Sequence, residues 1–210
     1  MTRLGFLLAR TLRREAPLIA HSMPKKGLMQ RFVGRRIALV GNARSLAEGR
    51  HGAEIDSADL VIRINRAPMP DAASHGTRTD ALALATSLDR AAFAALSPDL
   101  VLWMSHKRKR LPWHVARHPG FYMHPLKDWR DLHDRLGASP TTGLMMIDLL
   151  AQSEMTSLTL YGFDFFASLS LTGRRRADQV PHNFSSESDF VTRLIARDRR
   201  ITLIGGARGE

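Results

Sequence analysis

Two asparagines, Asn42 and Asn65, mark the first place in this chain where side chains could bind a ligand. Each follows an apolar run, IALVG before Asn42 and LVIRI before Asn65. Ligands of an open α/β sheet bind beyond the carboxyl ends of its strands, so polar residues at two such ends predict a crevice there. Gly41, Asn42 and Asn65 are therefore candidate binding residues.

A helix start that could bind an anion is predicted where the chain reads SPTTG. Ser139 is a candidate N-cap, and Pro140 suits the first helical position. The unpaired N–H groups and the positive dipole end of such a terminus bind anions. Thr141 and Thr142 would add hydroxyl donors and Gly143 would allow close approach, although an ordinary capped helix accounts for Ser-Pro alone.

His182 is a candidate general base. It lies just before a predicted helix, whose N-terminus disfavours imidazolium and so favours the neutral imidazole that a base requires at neutral pH. Ser185 or Ser186 would cap that helix, and Glu187 would either orient His182 or cap the helix. The alternative is a surface or packing histidine.

Two basic runs follow predicted strands, where they could meet a phosphate. The first is HKRKR at residues 106–110, for which a solvated loop is the preferred interpretation. The second contains Arg174, Arg175 and Arg176, for which a solvated loop and a phosphate contact stay equally open.

Composition narrows the class of protein. The chain has 210 residues, enough for one domain, and a formal net charge of +11 that favours nucleic acid, anionic lipid or phosphorylated substrates. No cysteine is present, which excludes disulfides and Cys-ligated metals. Dinucleotide, P-loop and HExxH motifs are absent, and Asp164 has no second carboxylate nearby, so no metal is expected. Nucleic acid is not expected either, because aromatic and basic residues do not interleave.

The first 30 residues are predicted to form a basic amphipathic helix and a linker ahead of a single domain at 31–210. Leu4, Leu7, Leu8 and Leu12 would share one face of that helix. Such a helix could lie on an anionic membrane, but packing on the domain or on a neighbouring subunit is the preferred interpretation.

Apolar runs alternate with helical patterns along the rest of the chain, which predicts an α/β fold with a mostly parallel seven-stranded sheet flanked by helices. The runs are continuous, as expected for strands buried on both faces. The predicted strands are 36–41, 59–65, 81–85, 100–104, 121–124, 157–162 and 201–204. The predicted helices are 87–96, 128–136, 141–153 and 186–197.

Three motifs, taken together, resemble glycosyltransferase family 29, the sialyltransferases. Residues 40–42, 54–57, 59, 61–68 and 76–79 resemble the large sialylmotif. Residues 140–143 with the later YGF at 161–163 resemble the small motif, and His182 with Glu187 resembles the very small motif.

The resemblance implies a variant GT-A fold with a Rossmann-like sheet, and an inverting, metal-independent transferase without a cofactor, whose donor is a CMP-activated acidic sugar such as sialic acid or Kdo. Asn42 and Asn65 would contact the cytidine nucleotide. Thr141, Thr142 and Gly143 would contact the ribose or the donor carboxylate, and His182 would deprotonate the acceptor hydroxyl. The acceptor would be a saccharide or a lipid-linked glycan.

Several departures from the family pattern shape these expectations. Ile37 and Met155 stand where the family has a disulfide, so an apolar contact is expected there, and Ala43 replaces a polar nucleotide contact. The family's His-Tyr phosphate motif is not recognisable, so the arginines of 174–176 are predicted to stabilise the leaving CMP. A short, bacterial-type, cytoplasmic or membrane-peripheral enzyme is expected. The alternatives are a nucleotide-binding module without catalysis and a basic nucleic-acid-binding protein.

Overall fold

The computed structural model describes residues 1–66, 68–164 and 184–204. A parallel sheet of seven strands forms the centre of this described part, in the order β5-β4-β3-β2-β1-β6-β7. The strands are β1 (Arg36–Val40), β2 (Leu60–Ile64), β3 (Ala81–Leu84), β4 (Leu100–Trp103), β5 (Phe121–Met123), β6 (Ser157–Tyr161) and β7 (Ile201–Leu203). Each agrees with its predicted range to within one residue at either end, and the predicted α/β class is confirmed.

Helices cover both faces of the sheet. They are α1 (Arg3–Thr11), α2 (Glu15–His21), α3 (Lys25–Gln30), α4 (Gly52–Asp56), α5 (Ala72–His75), α6 (Arg90–Leu96), α7 (Trp113–Ala116), α8 (Leu126–Leu136), α9 (Thr142–Ala151) and α10 (Phe184–Arg197). Two 3₁₀ turns, Arg44–Glu48 and Arg108–Arg110, complete the described elements.

The largest apolar cluster lies on the face of the sheet covered by α3, α8, α9 and α10. Helix α9 is buried along almost its whole length, as the apolar sequence LMMIDLLA predicts. Ile37 and Met155, the two positions where an apolar contact replaces the family's disulfide, are both buried in this cluster. This core therefore holds the start of α9 rigidly at the carboxyl edge of the sheet.

The N-terminal region differs from its prediction in two ways. The expected linker contains helices α2 and α3, and Leu18 and Leu28 from these helices are buried. Helix α1 buries Phe6 and Ala9, and it leaves Leu4, Leu8 and Leu12 exposed while Leu7 is partly buried, so the predicted packing face was wrong. The reason is the aromatic contact of Phe6 with Trp113, whose ring centroids lie 5.1 Å apart.

The order of the strands fixes where a ligand would bind. From β1 the chain builds the sheet outward to β5, then crosses to β6 on the other side of β1. Ligands of such sheets bind beyond the carboxyl ends of the strands at the point where the direction of building reverses. Here that point lies between the ends of β1 and β6, directly beside Asn42.

Candidate functional site

Gly41 brings the ends of β1 and β6 together at this switch point. Its N–H donates to the Tyr161 carbonyl oxygen over 2.8 Å, and the Ala43 N–H donates to that of Gly162 over 3.1 Å. A Cβ on Gly41 would collide with the Gly162 carbonyl oxygen. The structure therefore gives Gly41 a packing role beside the crevice, in addition to its predicted place in the nucleotide site.

At the crevice, the side-chain oxygen of Asn42 is available to accept a hydrogen bond. Its Nδ2 donates to the Ile64 carbonyl oxygen over 3.2 Å, which ties the end of β1 to the end of β2. Its Oδ1 is buried, and among the residues that the structure describes it has no hydrogen-bond partner. Buried polar atoms are rarely left unpaired in proteins, so this oxygen is suited to an N–H or O–H group of a ligand.

Asn65 reaches the same edge of the sheet in a left-handed conformation, with φ of 55°. Its N–H donates to the Ala83 carbonyl oxygen over 2.8 Å, and its Oδ1 accepts the Ala85 N–H over 2.9 Å. Because Oδ1 already caps the end of β3, a ligand would meet the Nδ2 donors of Asn65. The two predicted asparagines thus offer complementary groups, an acceptor on Asn42 and donors on Asn65.

The N-cap of helix α9 lies two residues later than predicted. Thr141 is its N-cap, in an extended conformation, and its Oγ1 accepts the Leu144 N–H over 3.1 Å. The prediction of Ser139 as N-cap and Pro140 as first helical residue was therefore wrong. An N-cap hydroxyl must accept an N–H two or three residues onward, and Thr141 meets this requirement.

Glu187 occupies the start of α9. Its Oε1 accepts the Thr141 N–H over 2.7 Å, and its Oε2 accepts the Thr141 hydroxyl over 2.6 Å. The side chain is 2% exposed, and burial raises the pKa of its carboxyl to about 7, against hydrogen bonds from Thr141 that lower it. Glu187 therefore caps α9, a helix 46 residues away in sequence, rather than its own helix α10. Nothing in the local sequence indicates this pairing.

Gly143 provides space for an aromatic side chain. A Cβ at this position would lie 2.6 Å from Cε1 of Phe163 and 3.6 Å from Cδ1 of Ile64. The glycine of PTTG and the phenylalanine of YGF therefore pack against each other, which links two separate stretches of the predicted small motif. Thr142, 8% exposed, begins the helix beside them.

The large-motif residues outside the crevice build its support. The Asp56 carboxylate accepts the N–H and hydroxyl of Thr77 and the N–H of Arg78 over 2.9–3.0 Å. Gly76, with φ of 67°, leaves no room for a Cβ beside Asp56. These contacts hold the loop before β3 against α4.

The predicted base His182 and the predicted phosphate ligands Arg174, Arg175 and Arg176 lie outside the described residues. Within those residues, no group of three or more histidine or acidic side chains could hold a metal ion.

The known proteins that are similar to this chain are sialyltransferases. The family model for glycosyltransferase family 29 (sialyltransferase) matches residues 9–99. The human CMP-N-acetylneuraminate-beta-galactosamide-alpha-2,3-sialyltransferase 1 is 29% identical over 162 residues, which cover 65% of this chain and 46% of the human protein. The mouse protein of the same name is 52% identical over 42 residues, 20% of this chain and 12% of that protein. Over residues 9–99 the chain is therefore similar to glycosyltransferase family 29. It spans less than half the length of these curated relatives.

Solved sialyltransferases share the fold. The crystal structure of a mammalian sialyltransferase matches with a TM-score of 0.66 at 20% identity, covering 99% of this chain and 87% of that one. The sialyltransferase CstII from Campylobacter jejuni, in complex with the substrate analogue CMP-3FNeuAc, matches with a TM-score of 0.57 at 14% identity, over 80% and 81% of the two chains. The Rossmann-like sheet is thus common to this chain and to both enzymes.

The buried carboxyl of Glu187 predicts a pH-dependent stability. Its pKa of about 7, above the ordinary 4.5, means that folding takes up a proton between these pH values. The contribution of Glu187 to the free energy of unfolding is therefore fully present below pH 4.5 and is lost as the pH rises through 7. Glu187→Gln cannot ionise, so relative to this variant the wild type should lose up to about 3 kcal/mol across that range.

Urea unfolding of both proteins at a series of pH values measures this difference. His124, whose pKa burial lowers to about 4, has the opposite pH dependence, but it is present in both proteins and cancels. Stability curves that stay parallel from pH 4.5 to 7.5 would contradict the prediction.

Proposed function

We propose that this chain transfers sialic acid, or a related acidic sugar such as Kdo, from its CMP ester to a hydroxyl of a glycan. The observation that carries the proposal is the buried Oδ1 of Asn42, unpartnered among the described residues, at the switch point of the parallel sheet. The nucleotide of a CMP ester has the N–H and O–H donors that this oxygen lacks.

The start of α9 suits the negative charge of the donor. Three N–H groups at this helix start already have acceptors. The Thr141 N–H donates to Glu187, the Leu144 N–H donates to the Thr141 hydroxyl oxygen, and the Met145 N–H donates to the Thr141 carbonyl oxygen. The N–H groups of Thr142 and Gly143 are then the helix-end donors for a carboxylate or phosphate. The anion site would therefore consist of the N–H groups of Thr142 and Gly143, because Thr141 is already hydrogen-bonded to Glu187.

The reaction would be a direct displacement with inversion. The acceptor oxygen forms a bond to the anomeric carbon of the donor sugar. At the same time the bond between that carbon and the phosphate oxygen breaks, and the electron pair of the broken bond leaves with CMP. His182 accepts the acceptor proton. It precedes the first residue of α10 by only two positions, and Glu187 holds the first turn of α10 against the start of α9.

The leaving CMP carries negative charge that the enzyme must stabilise. We assign this role to the α9 terminus and to one of Arg174, Arg175 and Arg176. Full turnover by each of the three single alanine variants would remove the arginines from the mechanism.

CMP release tests the function directly. The protein is incubated with CMP-sialic acid or CMP-Kdo in the presence of EDTA, with and without a β-galactoside acceptor, and free CMP is measured. Release that depends on the protein supports transferase chemistry without a metal, and the faster donor identifies the sugar. CMP binding without release of either donor's CMP would instead favour the non-catalytic nucleotide-binding alternative.

Asn42→Ala should weaken CMP binding by about tenfold, because it removes one hydrogen bond to a buried acceptor. The variant also loses the contact to the Ile64 carbonyl oxygen, so its melting temperature is measured alongside. Isothermal titration with CMP gives the affinity. Gln152→Ala, which removes an amide at the far end of α9, is the matched control and should bind CMP normally. Equal affinity of Asn42→Ala and wild type would exclude Asn42 from the nucleotide site.

A further inference from the structure

Helix α1 carries an exposed apolar stripe. Leu4, Leu8 and Leu12 are 68%, 54% and 58% exposed, and their spacing of four residues places them on one side of the helix. In the described part of the chain, five large apolar side chains are exposed, and the other two, Met1 and Val33, are less exposed than these three. Exposed leucines therefore concentrate on one helix of an otherwise polar surface.

The stripe cannot turn inward, because the opposite side of α1 is fixed in the core. Phe6 is fully buried, and Ala9 is 5% exposed. Nη1 of Arg10 also donates to the Leu111 carbonyl oxygen over 3.1 Å. Rotation of α1 to cover its leucines would break all of these contacts, so their exposure belongs to the fold.

Cations without counter-ions accompany the stripe. Arg3, Arg13 and Arg14 are exposed, and no acidic residue occurs among the first 14 positions. The next residue, Glu15, is already committed, since its carboxylate accepts from Arg108 over 2.6 Å and from the Leu126 N–H over 2.8 Å. Across the described ranges, no ion pair joins a carboxylate to these three arginines.

The structure brings the basic run at residues 106–110 close to α1. The 3₁₀ turn Arg108–Arg110 packs on α1 and α2 through the contacts of Arg10 with Leu111 and of Arg108 with Glu15. The other cations of the run, Lys107, Lys109 and Arg110, are exposed. Two runs that are about 100 positions apart in the sequence thus contribute six exposed cations, at the ends of α1 and on the turn packed against it.

We propose that this surface docks the protein on an anionic lipid bilayer, with the leucines of α1 in the acyl boundary and the six cations against the headgroup phosphates. An exposed apolar stripe, with unpaired cations at both ends of its helix and on the adjoining turn, matches an anionic interface in both polarity and charge. A second copy of the chain, carrying the same positive charge, would be repelled from it.

Docking in this way would also orient the crevice. The 3₁₀ turn Arg108–Arg110 follows the carboxyl end of β4. Asn42 and Asn65 follow the carboxyl ends of β1 and β2, at the same edge of the sheet. The same edge of the sheet would then lie near the headgroups, which suits a lipid-linked acceptor. The docking proposal itself does not depend on the transferase proposal, because membrane binding is measured without any substrate.

Co-sedimentation with vesicles of phosphatidylcholine, with and without phosphatidylglycerol, tests the proposal. Wild type should bind the anionic vesicles at least tenfold more strongly than the neutral ones, since each cation near such a surface contributes about fivefold. The binding should fall as salt is added. The triple variant Leu4→Gln, Leu8→Gln, Leu12→Gln should lose at least tenfold in binding to the anionic vesicles. Glutamine keeps the helix, because its helix propensity is close to that of leucine.

Two further variants make the result specific. Val33→Gln, which removes an exposed apolar side chain away from α1, should bind as wild type does. The triple variant Lys107→Gln, Lys109→Gln, Arg110→Gln should lose affinity for the anionic vesicles only, because its three positions belong to the docking surface. An unchanged melting temperature in each variant confirms that the fold is intact.

The proposal is overturned if wild type fails to bind anionic vesicles, if it binds neutral and anionic vesicles equally, or if the leucine variant binds as wild type does. Light scattering adds one more decisive outcome. A dimer that dissociates in the leucine variant, with no vesicle binding by wild type, would mean that a second copy covers the stripe.

Discussion

Replacing His182 with alanine is expected to lower the rate of sugar transfer by about 10²–10⁴-fold, the usual contribution of a general base. The acceptor hydroxyl must lose its proton as its oxygen attacks, and His182 is the group that we propose takes it. CMP affinity should stay within about twofold, because the base acts on the acceptor and not on the nucleotide. Turnover at saturating donor and acceptor, with CMP titration in parallel, measures the two effects separately.

A matched histidine variant shows that the loss is specific. His133, half-buried on α8 against Trp129, lies outside the proposed site, so His133→Ala should keep normal turnover. Near-normal transfer by His182→Ala would remove His182 as base. A parallel loss of CMP binding would instead assign His182 to the nucleotide site.

The strands could be predicted from the sequence because a parallel sheet covered on both faces requires continuous apolar runs. The runs before Asn42 and Asn65 end where β1 and β2 end, to within one residue. The N-terminal helices were harder to predict. The wheel of α1 favours its leucines as the packing face, but Phe6 can stack on Trp113, a partner more than 100 positions away. Apolar periodicity alone does not reveal which side of a helix finds such a partner.

In the candidate site, too, some features could be predicted from the sequence and others could not. Asn42 and Asn65 could be predicted because strand ends are visible in the sequence. The pairing of Glu187 with Thr141 could not, because it joins the starts of two helices across 46 residues. That pairing changes the chemistry expected at the helix start. A carboxylate already holds Thr141, so an incoming anion is left with the N–H groups of Thr142 and Gly143.

Arg63 belongs to a motif that resembles a binding site, but its contacts are structural. It lies within β2, in the large-motif stretch that resembles a nucleotide site, yet it is completely buried. Its Nε donates to the Arg78 carbonyl oxygen over 2.7 Å, and its Nη2 donates to that of His75 over 2.8 Å. Burial lowers the pKa of the guanidinium to about 10, opposed by the charges of Asp56 and Asp80, so it stays protonated at neutral pH. Its contacts tie β2 to the loop before β3.

Arg63→Met is therefore expected to reduce the free energy of unfolding by about 3–5 kcal/mol, the cost of removing one partner from a buried ionic network. Methionine fills much of the volume but leaves two carbonyl oxygens without donors, and it removes a positive charge that interacts favourably with Asp56 and Asp80. Urea unfolding measures the loss. Arg36→Gln is the control, because its pair with Asp59 is largely exposed and should contribute little. A loss below about 1 kcal/mol for Arg63→Met would show that apolar packing replaces the network. If the larger loss is found, this motif arginine supports the strand that presents Asn65, and changes in CMP binding by Arg63 variants would reflect that support.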